Sequence, residues 1–163
     1  MSNHATNHTQ TRCSSFKMTV IEQKYLKVNK GIMTGSFVQL EIKPNDTEIN
    51  RIIIDSERSP FRSQGLIEGG HKNWNESAKQ ALEVALKKIN YSNKLDITVK
   101  KLEGRIFLDT NNASIGTACI LALWKYLEFK PESEIMDKIH EFVKNDWKNE
   151  VELIPNFEKI FEK

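Results

Sequence analysis

The residues best suited to chemistry cluster in one irregular stretch, positions 56–72, which holds Arg58, Arg62, His71 and Lys72 together with Gly65, Gly69 and Gly70. Glycines let a backbone approach a phosphate closely, and arginine offers a two-pronged donor to it. A helix start follows directly and adds a field that favours an anion. Phe61 or Trp74 could stack on a base. This composition makes Arg58, Arg62, His71 and Lys72 candidate RNA- or phosphate-binding residues, with Arg105 as a fifth on a later turn. Glu57 and Glu68 hold the net charge of the stretch to +1, so a solvated connection with Trp74 in the core stands as the alternative. His71 has no cysteine or histidine at ligand spacing, and His4 and His8 sit in a polar leader, so no metal site is expected. His140 falls beside Ile139 on an amphipathic pattern and reads as a surface or core-edge residue.

Elements must position these groups. Residues 1–17 are rich in Asn, Thr and Ser and read as a disordered leader before a single domain over 18–163. Val20 to Val28 suggests a first strand, and Asn29-Lys30-Gly31 a turn. Ser36 to Ile42 alternates as a half-buried strand, Lys43-Pro44-Asn45-Asp46 reads as a turn, and Ile49 to Asp55 as a third strand. Three strands with short connections predict an antiparallel meander. Asn73-Trp74-Asn75-Glu76 reads as a capping box opening a helix whose apolar face runs Trp74, Ala78, Ala81, Leu82, Ala85, Leu86 and Ile89. Leu95 to Val99 alternates as a strand, Leu102-Glu103-Gly104 turns the chain, and Arg105 to Leu108 reads as a short extended piece. Asp109, Thr110, Asn111 and Asn112 are all N-cap candidates for a helix from about Ala113 to Phe129, apolar nearly all round and therefore buried. Pro131 ends it. Ile135, Met136, Ile139, Phe142, Val143 and Trp147 mark an amphipathic helix, and a short turn follows Pro155, making 130–163 a helical extension.

Composition bounds the function. The chain has 163 residues, 39% apolar and 28% charged, enough for one domain with its own core. No apolar run reaches the length of a membrane span, and the polar amino-terminal stretch is not a secretory signal. Cys13 and Cys119 are too few for a disulfide framework, so free thiols and a cytoplasmic setting are expected. The net charge of +2 excludes a strongly basic nucleic-acid binder. Charge is uneven, however: residues 128–163 carry ten acids and six lysines, which leaves the rest at +6. A basic body beside an acidic helical end could meet a polyanion on one side.

Lys30 to Pro44, KGIMTGSFVQLEIKP, resembles the loop and strand that open domain IV of translation elongation factor G. Asn73 to Ile89 resembles that domain's first helix, and Leu95 to Leu123 its strand, tip loop and second helix. The resemblance spans roughly residues 30–127. It implies an α+β two-layer sandwich, mostly antiparallel, with helices on one face and a βαβ crossover of left hand, against the usual rule. It implies a non-enzymatic module that binds RNA, the ribosome or a protein partner, without a cofactor. Ser36 stands near the place where the family usually has a histidine, and no phosphate-binding GxxxxGK[ST] motif occurs, so at most one such domain is present, standing free. The same fold occurs in the proteolytic domain of Lon proteases, and Asn75 to Ala81 also looks like Lon's first helix. That likeness implies a serine at the start of the buried helix, activated by a desolvated lysine. Ser114 is the candidate, although the family's serine position aligns with Asn112. A base such as Lys144 or Lys159 has no recognisable motif around it. Helix capping by Asn111, Asn112 and Ser114 is the alternative.

Overall fold

The computed structural model describes residues 17–57, 70–89, 91–105 and 108–162. The expected leader falls almost wholly outside them, and so do Arg58 and Arg62. Strands β1 (Thr19–Asn29) and β2 (Ile32–Asn45) form an antiparallel hairpin. Lys30 and Gly31 both take positive φ, 49° and 80°, the pair of left-handed residues that a type I′ turn needs. Next come β3 (Arg51–Glu57), α1 (Gly70–Lys88), β4 (Lys94–Glu103), α2 (Asn112–Tyr126) and α3 (Ser133–Asp146), and a 3-10 turn over Phe157–Phe161 closes the order.

The sheet order is β1-β2-β4-β3. The expected meander is therefore wrong in one respect. β4 lies between β2 and β3, antiparallel to the first and parallel to the second. The chain leaves β3, passes through α1 and returns as β4 beside it, a parallel βαβ crossover. The fold is an α+β two-layer sandwich with helices on one face of a mostly antiparallel sheet. The register explains that face. Leu40 aligns with Val99 and Ile54, and Ile42 with Ile97 and Ile52, so period-2 alternation turns one apolar row from each strand toward the helices. Val38, Leu40, Ile42, Leu95, Ile97, Val99 and Leu102 are fully buried there.

α1 sends down Trp74, Ala78, Ala81, Leu82 and Ala85, the face its periodicity predicts. α2 is buried almost all round because the sheet, α1 and α3 each cover a side. Its Gly116 has no room for a side chain: a Cβ there would collide with the Phe157 ring and stand 3.0 Å from Ala81. Phe157 and Ile160 of the 3-10 turn belong to the same core cluster as the sheet residues, as do Ile139 and Val143 of α3.

Three local expectations shift. α1 begins at Gly70, so Asn73 is not its cap but lies within its first turns, where Nδ2 donates to the Val151 carbonyl at 3.3 Å. β2 runs through Pro44 and Asn45, and the turn comes later, where Asn45 Oδ1 accepts from the Thr47 amide. β4 continues through Leu102 and Glu103. Beyond it the Arg105 carbonyl accepts from the amides of Leu108, Asp109 and Thr110, and the middle of the expected extended piece, residues 106 and 107, lies outside the described residues.

Candidate functional site

A concavity on the described surface lies between the hairpin tip and α3. It is a groove of about 770 Å³. The β1–β2 turn brings Val28, Lys30 and Ile32 to one wall, and the turn before α2 adds Leu108. The amphipathic face of α3 supplies His140, Val143 and Trp147 to the other. Two long-range polar contacts fix α3 against the hairpin. The Tyr25 hydroxyl lies 3.1 Å from His140 Nδ1, and Trp147 Nε1 donates to Thr34 Oγ1 at 2.9 Å. Burial pushes the Tyr25 phenol up to about 12, so it stays neutral. His140 is held below its ordinary value, first by partial burial and then by Lys27, with Asp137 opposing. Burial thus disfavours charge on both members of this contact.

The lining of the groove carries apolar side chains and charges of both signs, Lys27, Lys30 and Lys144 with Asp137 and Glu141. Val28 and Ile32 are each 63% exposed and Leu108 59%. Lys27 and Lys30 form no ion pair among the described residues, while Lys144 pairs with Glu141 at 3.0 Å. Sequence reasoning placed His140 at a core edge but missed the groove. The one available signal was an amphipathic helix with Trp147 at its end.

The start of α2 is built quite differently. Among the four N-cap candidates, Asn111 is the cap, and it forms the capping box that the sequence suggested at Asn73. Its Oδ1 accepts from the Ser114 amide at 2.9 Å, and the Ser114 hydroxyl oxygen accepts from the Asn111 amide at 3.2 Å while donating to the Asn111 carbonyl at 2.8 Å. Asn112 Nδ2 donates to the carbonyls of Val151 and Leu153. The Ala113 amide, the donor that would meet an incoming anion, already donates to Asp146 Oδ2 at 2.9 Å. Burial raises the Asp146 carboxyl, opposed by the Asn149 side chain and that amide. Ser114 is fully buried, its hydroxyl engaged by the helix backbone, and neither Lys144 nor Lys159 forms a hydrogen bond or ion pair with it. This arrangement ties down a helix end.

The proposed phosphate-binding residues are not brought together among the described residues. Arg58 and Arg62 lie outside them. His71 and Lys72 fall in the first turn of α1, and their side chains lie outside as well. Arg105 is described and pairs through its guanidinium with Asp109, Nε donating to Oδ2 at 2.8 Å. That carboxylate offsets the charge a phosphate would seek.

No family model matches the chain, and no curated protein matches it by sequence. Among solved structures it is similar to a crystal structure from Thermus thermophilus, with a TM-score of 0.48 and 16% identity over 77% of this chain and 20% of that one. It is also similar to a mevalonate kinase (TM-score 0.42, 13% identity, 88% of this chain and 51% of that one). The mevalonate kinase of Methanococcus jannaschii gives 0.36 and 11%, over 92% and 52%. The chain spans about a fifth of the first and about half of the kinases. These are likenesses of chain path, and no site residue is carried over from them. The pattern of an elongation-factor-G domain IV agrees with the observed order: hairpin, strand, helix, central strand, buried helix. No helix among the described residues is long and apolar enough to cross a membrane.

Proposed function

We propose that this chain is a non-catalytic binding module that docks a protein partner in the groove between the hairpin tip and α3. One observation carries this reading: Val28, Ile32 and Leu108 stand more than half exposed around a groove of about 770 Å³. Large apolar side chains gathered at one concave place mark interaction sites more often than scattered ones do. Lys27, Lys30 and Lys144 outnumber Asp137 and Glu141 along the groove, which favours an apolar segment flanked by acidic residues. The test is affinity capture with mass spectrometry on the wild type and on Ile32→Asp and Leu108→Asp, with RNase treatment as a control. A protein partner retained at high salt and lost in both variants supports the reading. Capture unchanged in both variants overturns it.

A second reading, binding of RNA or the ribosome, draws on the +6 balance of residues 1–127. Arg58, Arg62, His71 and Lys72 would carry it, with Arg105 contributing less because of Asp109. Salt-sensitive, RNase-sensitive association that fails on charge reversal at Arg58 and Arg62 would favour it. The hydrolase reading has its own check. Labelling by a fluorophosphonate probe that disappears in Ser114→Ala would revive it.

A further inference from the structure

The outer edge of β1 pairs with no strand among the described residues, because β1 ends the sheet. The neighbouring strand determines which of its residues face that edge. Gly35, opposite Leu26, gives its amide to the Asp109 carbonyl and its carbonyl to Thr110 Oγ1. Its backbone groups therefore point away from β1, and Leu26, the other half of a non-hydrogen-bonded pair, points its own away from β2. Alternation then assigns the free edge to Val20, Glu22, Lys24, Leu26 and Val28. Two side chains already seek the carbonyls there. Lys125 Nζ donates to Glu22 O at 3.3 Å and Gln23 Nε2 to Lys24 O at 2.6 Å.

The side chains on that parity form a sequence that is complementary to itself. Met18, Val20, Leu26 and Val28 are 51%, 51%, 65% and 63% exposed, with Glu22 and Lys24, also exposed, between them. An antiparallel second copy centred on Gln23 would set Glu22 against Lys24, Val20 against Leu26 and Met18 against Val28, each pair occurring twice. A shift of the centre by one residue toward Glu22 sets that acid against its own copy. A shift the other way sets Lys24 against itself. Like charges directly opposite are unfavourable in a sheet, so one register is preferred.

We infer that two copies of this chain join β1 edge to edge about a two-fold axis at Gln23, continuing the four-stranded sheet into one of eight strands. The interface is isologous, uses backbone hydrogen bonds for affinity and the Glu22–Lys24 pairs for register, and leaves the groove variants Ile32→Asp and Leu108→Asp without effect on association.

Sedimentation analysis and cysteine cross-linking test this. In the wild type a concentration-dependent dimer is expected. Glu22→Lys alone and Lys24→Glu alone each weaken it roughly tenfold by setting like charges opposite, and the double variant restores it. Gln23 meets its own copy at a non-hydrogen-bonded position, where Cα atoms lie about 4.5 Å apart, within disulfide reach. Gln23→Cys in a Cys13→Ser chain should therefore cross-link under mild oxidation, while Lys24→Cys should not. Circular dichroism of each variant confirms folding. A wild type that stays monomeric overturns the inference. So does a dimer indifferent to both single charge reversals, or one that cross-links at Lys24→Cys instead of Gln23→Cys.

Discussion

Helix α3 has two neighbours that treat it in opposite ways. Toward the start of α2 the contact is sealed: Asp146, Asn111, Asn112 and Ser114 satisfy one another and the helix end, and little polar capacity is left over. Toward the hairpin it is propped open by Tyr25–His140 and Trp147–Thr34, and apolar side chains remain in water around the gap. The difference separates stability from recognition. Buried polar groups that find partners hold a fold together. Apolar groups that find none are surface still available to a partner.

The comparison breaks most visibly at Asp146. Asp146→Leu leaves the Ala113 amide buried without an acceptor and should cost about 2–3 kcal/mol in chemical denaturation. Asp146→Asn keeps an acceptor and should cost less than about 1 kcal/mol. An equal loss in both would mean that the amide contact contributes little. Ser114→Ala removes one arm of the capping box and should cost about 1 kcal/mol, with no change in partner binding. On the groove side, Ile32→Asp should alter stability by no more than about 0.5 kcal/mol while abolishing capture of a partner. A large fall in its denaturation midpoint would show that the groove wall is structural.

Acid titration sharpens the contrast. On the open sheet face, Asp96 is held below the usual carboxylate range, chiefly by its hydrogen bonds from Arg51, and Asn45 and Lys43 add to this. Its contribution is complete above the unfolded carboxyl value, about 3.9, and is lost as pH falls through its own lower value. Asp146 is shifted the other way, so it lowers stability as pH rises from about 3.9 to its raised folded value. Asp96→Asn should therefore flatten the loss of stability in acid. Asp146→Asn should remove an opposing slope at slightly higher pH. Denaturation midpoints measured across that range would show both, and parallel curves for the two variants would contradict the assignment.

Local chemistry was legible, and distant pairing was not. Asn29-Lys30-Gly31 announces a hairpin because two adjacent left-handed residues are a local requirement. The apolar face of α1 follows from period alone. Nothing local distinguishes Ile52-Ile53-Ile54 beside β2 from the same triplet beside β4, so the meander looked natural. Asn73 and Glu76 match a capping box in spacing, but the helix begins earlier, at Gly70, and Asn73 serves the Val151 carbonyl instead. For α2 the four candidates included the true cap, Asn111, yet Asp146, which accepts from the Ala113 amide across 33 positions, could not be foreseen. The groove is hidden for the same reason, since Tyr25 and His140 meet across 115 positions. Of the residues singled out for binding, only Arg105 has a described side chain, and its company with Asp109 is a feature of the turn that carries both.

The missing side chain at Gly116 has a consequence for how the molecule is made. The hollow it leaves is filled by Phe157, which emerges from the ribosome only after the whole sheet, all three helices and the stretch beyond them. Until that ring arrives, the most buried helix has an open flank. The layers can assemble before that ring is in place, but they cannot lock, so closure of the interior waits on a residue far along the chain from the helix it seals.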